Sequence, residues 1–475
     1  MKNNHTTYYQ RPVYVVDGSR SPFLKAAGKP GPFTASDLAV YAARNLLARL
    51  PLTLKDYDEV ILGCVMPGPD EANIARISAL RLGFDEHVPA FTVQRNCASG
   101  MQAVDTAARN IASGNSGLIL CGGTESMSHA PLLFKLEMVR WLAAWNRAHG
   151  FMARSKTLLK LRPSLFAPII GLIRGLSDPY VGLSMGQTAE NIAHRFNISR
   201  QMMDEWAVAS HQKLAAAQKA GVYDDEIEPL YAPDGTCYQS DNGLRADSSV
   251  EKLAKLKPVF DKKFGKVTAG NSAQITDGAA WLVLASEETV QKHQLPVLGE
   301  LVDSAWAGLD PAQMGLGPVH AIAPILQRNA LSINDIDYWE INEAFAGQVL
   351  ACVEALNSDD YCRNELQLES ALGEINKDTL NIDGGGVSMG HPVGASGARI
   401  ILHLLNTLKR KNARQGIASL CIGGGQGGAV MVKRVDGNEL KTQSGNNEQI
   451  AEQDHSDDTG NGHDNNETES QDETH

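Results

Sequence analysis

Apolar positions recur in this chain both within single elements and again between its two ends. Two segments with helical apolar spacing, LAVYAARNLLARL (38–50) and VHAIAPILQRNA (319–330), are followed by similar patterns, LTLKDYDEVILG (52–63) and LSINDIDYWEIN (331–342), at a constant offset of 279. Each stretch reads as helix, turn, acidic turn and buried strand. Next come NCASGMQAVDTAARNIASG (96–114) and GHPVGASGARIILHLLNTL (390–408), in which a tight turn with a Ser-Gly pair opens a long helix. A short apolar strand ending in Cys and glycines closes each unit, GLILCGG (117–123) and IASLCIGGG (417–425). Strands alternating with helices in this way predict an α/β fold with two duplicated halves built on mainly parallel central sheets. The expected division is an N-terminal half at 1–130 completed by 265–290, a C-terminal half at 291–436, and an inserted loop domain at 131–264. Duplicated halves bring their helix-opening turns toward a common interface, so the chemistry should combine residues from both.

Cys97 lies in such a turn, VQRNCASGMQAVD, where its sulfur meets the unpaired N–H groups and positive dipole end of a helix. That placement favours thiolate, although a lone cysteine before a helix is more often structural, and the signal needs partners. His391 in GHPVGASG supplies one, as a base able to take the thiol proton. Cys421 begins CIGGGQGG, where the backbone N–H of Gly423 and its neighbours can face an oxyanion. Asn342, at the end of the repeated strand, offers a neutral donor. Two cysteines, a histidine and backbone donors suggest acyl transfer through a thioester, one cysteine acting as nucleophile and the other exchanging a proton with substrate carbon. The His and Cys residues lack spacings such as CxxC or HExxH, so no metal is expected. The glycine runs match neither a phosphate loop nor a dinucleotide fingerprint, which makes nucleotide hydrolysis a poor reading.

Charge changes the picture in two places. The net charge of −12 is concentrated in residues 437–475, which hold eleven acids and one lysine, almost no aliphatics, and read as a disordered acidic tail. Residues 131–176 show the opposite balance, eight basic residues against Glu137 alone. Within them Phe134, Met138, Trp141, Leu142 and Trp145 share one helical face with Arg140 and Arg147 opposite, the composition of an interfacial element that docks on an anionic membrane or a partner. Packing of that face on its own domain is the competing reading. Hydrophobic content of 43% and charged content of 21% are those of a globular chain. Seven scattered cysteines suit a reducing compartment, and the N-terminus has no signal-like apolar stretch. A cytoplasmic location, at most peripheral to a membrane, is expected, with no nucleic-acid partner.

NCASGMQAV, GGTESMS (122–128), TAGNSAQITDGAA (268–280), NEAFA (342–346), GHPVGASGAR (390–399) and CIGGGQGGA (421–429), in this order between about Val13 and Val435, resemble the thiolases, the acetyl-CoA acyltransferases. The resemblance implies duplicated α/β halves layered α-β-α-β-α with an inserted loop domain. It implies Cys97 as the acylated nucleophile, His391 as its activator and Cys421 as the acid/base at the acetyl methyl carbon. Asn342, through a water, with His391 would form one oxyanion hole, and the N–H groups of Cys97 and Gly423 the other. Substrate contacts are expected from Ser184, Met185, Arg245, Ala269, Gly270, Ser272, Ala273 and Phe345. Coenzyme A enters as substrate, with no cofactor. Ser184 stands where short-chain biosynthetic members often carry His, and Ala273 where many carry Ser. The basic insert resembles β subunits of fatty-acid-oxidation complexes, which commonly carry His at the position of Asn342. The implied activity is cleavage of a 3-oxoacyl-CoA by CoA in fatty-acid β-oxidation, by a homodimer or homotetramer, with a hydratase/dehydrogenase α subunit as an expected partner. The alternatives are an acetoacetyl-CoA-forming biosynthetic thiolase and a non-catalytic lipid-binding scaffold.

Overall fold

The computed structural model describes residues 8–435, and the acidic stretch at 437–475 lies outside them. Nine strands form one ladder: β1 (Val13–Arg20), β2 (Glu59–Gly63), β3 (Ala90–Val93), β4 (Leu118–Ser126), β5 (Thr276–Ser286), β6 (Gly299–Gly308), β7 (Tyr338–Ile341), β8 (Gln415–Ile422) and β9 (Gln426–Lys433). Their spatial order is β7-β8-β9-β6-β1-β5-β4-β2-β3, and the short strand Leu24–Lys25 pairs with β5. The halves join between β1 and β6, where Tyr14 faces Glu300 and Val15 faces Gly299.

The helices that bear on function are α1 (Ser99–Ala112), α2 (Leu136–Arg147), α3 (Phe151–Leu158), α4 (Met185–Arg195), α5 (Arg200–Lys219), α6 (Ala346–Leu356) and α7 (Val393–Lys411). α7 packs on α1 and touches strands of both halves, β4 and β5 on one side and β7, β8 and β9 on the other. It is therefore covered nearly all round, and its buried charged residues are paired: Arg399 with Glu340, His403 with Glu226 and Asp383. Glycines let α1 and α7 meet at backbone distance. A Cβ on Gly100 would lie 2.7 Å from the Gly394 carbonyl oxygen, and one on Gly397 would lie 2.5 Å from the Met101 nitrogen.

The internal repeat is carried by hydrogen bonds as well as by pattern. Before β2, Asp56 accepts from the Thr53 backbone N–H at 2.7 Å; before β7, Asp335 accepts from Ser332 at 2.7 Å. Asp58 accepts from the N–H groups of Gly117 and Leu118, and Asp337 does the same for Arg414 and Gln415. Register then corrects one correspondence. Ile61 faces Cys121 and Glu340 faces Ala418, so Cys121 and Cys421 are not equivalent; the counterpart of Cys421 is Thr124.

The sheet is mixed rather than mainly parallel. β2/β3, β2/β4 and β7/β8 are parallel, whereas β1/β5, β1/β6, β4/β5, β6/β9 and β8/β9 are antiparallel. In the C-terminal half the reason is local: Gly424 and Gly425 take positive φ and fold β8 straight back into β9. The basic insert places its tryptophans toward its own second helix. α2 begins at Leu136, Met138 is buried, and Trp141 and Trp145 stack at 5.7 Å, with the Trp141 indole N–H donating to the Thr157 carbonyl of α3 at 3.0 Å. The two indoles thus pack toward α3, whereas Phe134 and Leu142 of the same expected face are exposed.

Candidate active site

The turn between β3 and α1 is built around two residues. Asn96 adopts φ +45°, a left-handed conformation that asparagine tolerates, and this reverses the chain before Cys97. Ser99 pins the turn, its hydroxyl donating to the Asn96 carbonyl at 2.7 Å and accepting from the Arg95 N–H at 2.9 Å. The Asn96 side-chain amide donates to the Gly423 carbonyl at 2.8 Å, tying the turn to the loop after Cys421.

Sequence position at a helix start suggested a thiolate, but the structure does not support one at rest. Burial pushes the Cys97 thiol above its ordinary range and outweighs the opposing pull of the Gly423 and Cys97 N–H groups at the sulfur. Burial likewise raises Cys421 well above the usual thiol range, and the neighbouring Cys97 adds to the effect. Both thiols therefore need a base. His391 follows Gly390, which takes φ +107°, and it is 7% exposed. Burial, and then the charge of Arg399, lowers its pKa to about 4, so the imidazole is neutral at physiological pH. The Ser396 hydroxyl donates to the Pro392 carbonyl at 3.0 Å, which leaves its oxygen to accept from His391 Nδ1–H at 2.6 Å. That pairing places the proton on Nδ1 and leaves Nε2 as the basic nitrogen.

Asn342 directly follows β7, its N–H held by the Ser419 carbonyl at 2.9 Å. Its side-chain nitrogen lies 3.4 Å from His391 Nε2 and 3.5 Å from Nδ1, and its Oδ1 is buried without a hydrogen-bond partner among the described residues. Asn342 thus stands behind the imidazole rather than on the cleft wall.

Cys97, His391, Cys421 and Gly423 share a cleft of about 410 Å³, which Met185, Arg245, Ala269, Ser272, Ala273 and Phe345 also line. Two expected substrate contacts lie elsewhere. Ser184 caps α4, accepting from the Gln187 N–H, and Gly270 lines a smaller neighbouring cavity beside His211. The sequence reading missed Lys25, Met127, Leu176, Phe260 and Met314 on the cleft wall. It also missed two buried acids. Glu343 accepts from Trp206 Nε1, Ser210 Oγ, Asn381 Nδ2 and the Val387 N–H, fastening α5 to the segment that leads to His391. Glu125 accepts from the N–H groups of Val65, Met66 and Gly394, and burial holds its pKa up at about 7. Their signal was present: each sits inside a quoted motif, as an acid among small and apolar residues.

At the mouth, Lys25 is placed by its pairing with Thr276. Burial, and then the charge of Arg245, lowers its amine, so the two cations face the same space.

A buried cysteine pair, a neutral histidine and aimed backbone N–H groups, drawn from both halves of a duplicated α/β fold, define an acyl-transfer site. The thiolase N-terminal domain model matches residues 13–288 and the thiolase C-terminal domain model matches 295–434; the chain belongs to the thiolase family. It is 38% identical over 427 residues to human mitochondrial 3-ketoacyl-CoA thiolase, covering 89% of this chain and 98% of that one. The 3-ketoacyl-CoA thiolase of Yersinia enterocolitica is 36% identical over 423 residues, covering 89% of this chain and 96% of the relative. Among solved structures, human mitochondrial 3-ketoacyl-CoA thiolase in complex with CoA superposes with a TM-score of 0.77 at 36% identity, covering 90% of this chain and 99% of that chain. The Bacillus anthracis acetyl-CoA acetyltransferase gives the same TM-score and identity, covering 90% of this chain and 100% of its own.

Proposed function

We propose that the protein cleaves 3-oxoacyl-CoA with CoA to give acetyl-CoA and an acyl-CoA shortened by two carbons, as a degradative thiolase of fatty-acid β-oxidation. The observation that carries this reading is the convergence of Cys97, Cys421 and His391 on one cleft. His391 Nε2 takes the Cys97 proton and the thiolate attacks the keto carbon, while the N–H groups of Cys97 and Gly423 receive the developing oxyanion. The C2–C3 bond breaks. Its electron pair passes to the CoA-bound two-carbon unit as an enolate, which accepts a proton from Cys421 and leaves as acetyl-CoA. His391 faces the thioester oxygen of that enolate, and Asn342, behind the imidazole, acts on it through a bound water. The unpaired Asn342 Oδ1 supports a water bound there. CoA thiol then gives its proton to the Cys421 thiolate and attacks the acyl-Cys97 thioester; the shortened acyl-CoA leaves as the Cys97 thiolate takes back the proton held on His391, which restores both thiols and the neutral imidazole.

Lys25 and Arg245 supply positive charge for the nucleotide phosphates of CoA. Met127, Leu176, Met314 and Phe345 give apolar wall for an acyl chain longer than acetoacetyl. Formation of acetoacetyl-CoA from two acetyl units is the second reading, favoured by the equal likeness to an acetyl-CoA acetyltransferase. The same reading carries a homodimer or homotetramer in the cytoplasm, with a hydratase/dehydrogenase α subunit as partner; light scattering of the purified protein tests the oligomer. Incubation with acetoacetyl-CoA and with a longer 3-oxoacyl-CoA, each with CoA, tests the activity. Acetyl-CoA release faster from the longer substrate is expected. Cleavage of neither contradicts the proposal.

A further inference from the structure

Glu125 is fully buried on β4 and has no step of its own in the proposed mechanism, yet its carboxylate joins the segments that carry the nucleophile and the base. Oε2 accepts from the Val65 N–H at 2.9 Å and from the Gly394 N–H at 3.1 Å; Oε1 accepts from the Met66 N–H at 2.9 Å, with the Cys64 thiol at 3.7 Å. Val65 and Met66 lie just after β2. Next to them the Cys64 N–H is held by the Val93 carbonyl of β3, and a Cβ on Gly63 would meet the Ser99 carbonyl carbon at 2.3 Å, so this segment lies directly against the turn of Cys97. Gly394 belongs to the base's side. It is the second residue of α7, whose first N–H groups need acceptors and whose N-cap, Pro392, has no side chain to offer them. Glu125 supplies that cap from the other half of the molecule, as an anion at a helix N-terminus.

The first turn of α7 carries the base. The Pro392 carbonyl accepts from the Ala395 and Ser396 N–H groups, and the Ser396 oxygen accepts from His391 Nδ1–H at 2.6 Å, which ties the ring to the helix start. We infer that Glu125 is a positioning residue for the proton transfer from Cys97 to His391: by bonding at once to the segment against Cys97 and to the helix start that holds His391, it fixes the separation of nucleophile and base. The inference rests on the roles proposed above for those two residues. Charge alone would make Glu125 a hindrance. Burial raises the Cys97 thiol and the Glu125 charge adds to the effect, so a carboxylate kept here for its field would oppose thiolate formation. Placement and field therefore predict opposite outcomes when the charge is removed.

Glu125→Gln tests this, because the amide keeps the shape but turns an NH2 toward N–H groups that need an acceptor. Alkylation of Cys97 by iodoacetamide, followed by mass spectrometry of the Cys97 peptide, reads thiolate formation without substrate. It should slow roughly tenfold to a hundredfold, and kcat for thiolysis of acetoacetyl-CoA should fall with it while KM for CoA stays unchanged. In a His391→Ala background there is no base to place, so adding Glu125→Gln should slow alkylation by no more than about twofold. Glu125→Asp keeps the charge but is too short to reach both sides. It should slow alkylation of the parent and not of His391→Ala, and it carries the test if the Gln protein does not fold. Faster alkylation of Glu125→Gln would overturn the inference, since the field and not the placement would then govern Cys97. So would equal slowing with and without His391, or a change in KM alone. A His391→Ala protein alkylated at the parent's rate would contradict the proposed base itself, which tells the two failures apart.

Discussion

Ser99 and Ser396 hold the same place in the two halves, each followed by the glycine that lets α1 and α7 touch, yet they do different work. Ser99 bonds to backbone and shapes the turn that presents Cys97. Ser396 bonds to a side chain and sets the tautomer of His391. The difference traces to one helical turn. α1 begins at Ser99 and leaves Cys97 outside the helix, whereas α7 begins at Val393, before Ser396. The counterpart of Cys97 is then Gly394, where a Cβ would lie 2.3 Å from the Thr124 carbonyl oxygen. The ionisable group of the C-terminal half sits three residues earlier, as His391. Cys421 and Thr124 diverge in the same manner. Thr124 spends its hydroxyl on the Ala35 carbonyl inside the longer β4, while Cys421 lies at the end of β8 beside the glycine turn and reaches the cleft. The two halves share a scaffold, and small shifts in where elements begin and end place Cys97 at the helix start of one half and His391 before the helix of the other.

The largest expected effect breaks the nucleophile's side. Cys97→Ser should abolish thiolysis and acyl-enzyme formation, because a hydroxyl is a far weaker nucleophile than a thiolate at neutral pH; release of acetyl-CoA measures it. Ser396→Ala tests the base's side. It leaves the Nδ1–H without its acceptor, a loss of about 1–3 kcal/mol, so kcat should fall roughly tenfold to a hundredfold with KM for CoA little changed. A fall in KM-dependent terms alone would show that the serine only shapes the cleft.

Gly394→Ala tests the claim that the C-terminal helix start cannot carry a side chain. Backbone on one side and Glu125 on the other leave no room, and denaturant unfolding should report a loss of about 1–3 kcal/mol. The smallest effects are in pH. Since His391 titrates near 4, the acid limb of kcat/KM should lie well below the ordinary histidine value of 6.5. His403, twelve residues further on and inside α7, behaves oppositely. Burial alone would lower it, but Glu226 and Asp383 on either side raise it to about 10. A raised histidine contributes stability in full below pH 6.5 and loses it as pH rises toward 10, so urea unfolding should show the parent weakening over that window and His403→Gln weakening less.

The features legible in the sequence were those written locally. Thr53 with Asp56, and Ser332 with Asp335, are three-residue bonds whose pattern survives in the string, and they marked both half-units and the strands after them. Cys97, His391 and Cys421 stood out because turns with glycine flank each. What depends on distant packing was not legible. The register that sets Cys121 against Ala418 comes from pairing with β2 and β7. The protonation of Cys97 is decided by burial rather than by the helix it precedes. The inward face of Trp141 is decided by α3, which no periodicity within α2 announces. Glu125 and Glu343 were passed over because an acid in a string suggests solvent, and only the fold supplies the N–H donors that keep them inside.

The central claim is the division of labour between Cys97 and Cys421, and mass spectrometry of the intact Cys421→Ala variant after incubation with acetyl-CoA tests it most directly. Acylation of Cys97 needs His391 and the N–H groups at its sulfur but no proton at carbon, so the variant should carry the acetyl group as the parent does, while its carbon–carbon cleavage falls by about 10²–10⁴. An unacylated Cys421→Ala protein, or one that is acylated and still cleaves at the parent's rate, would contradict the account.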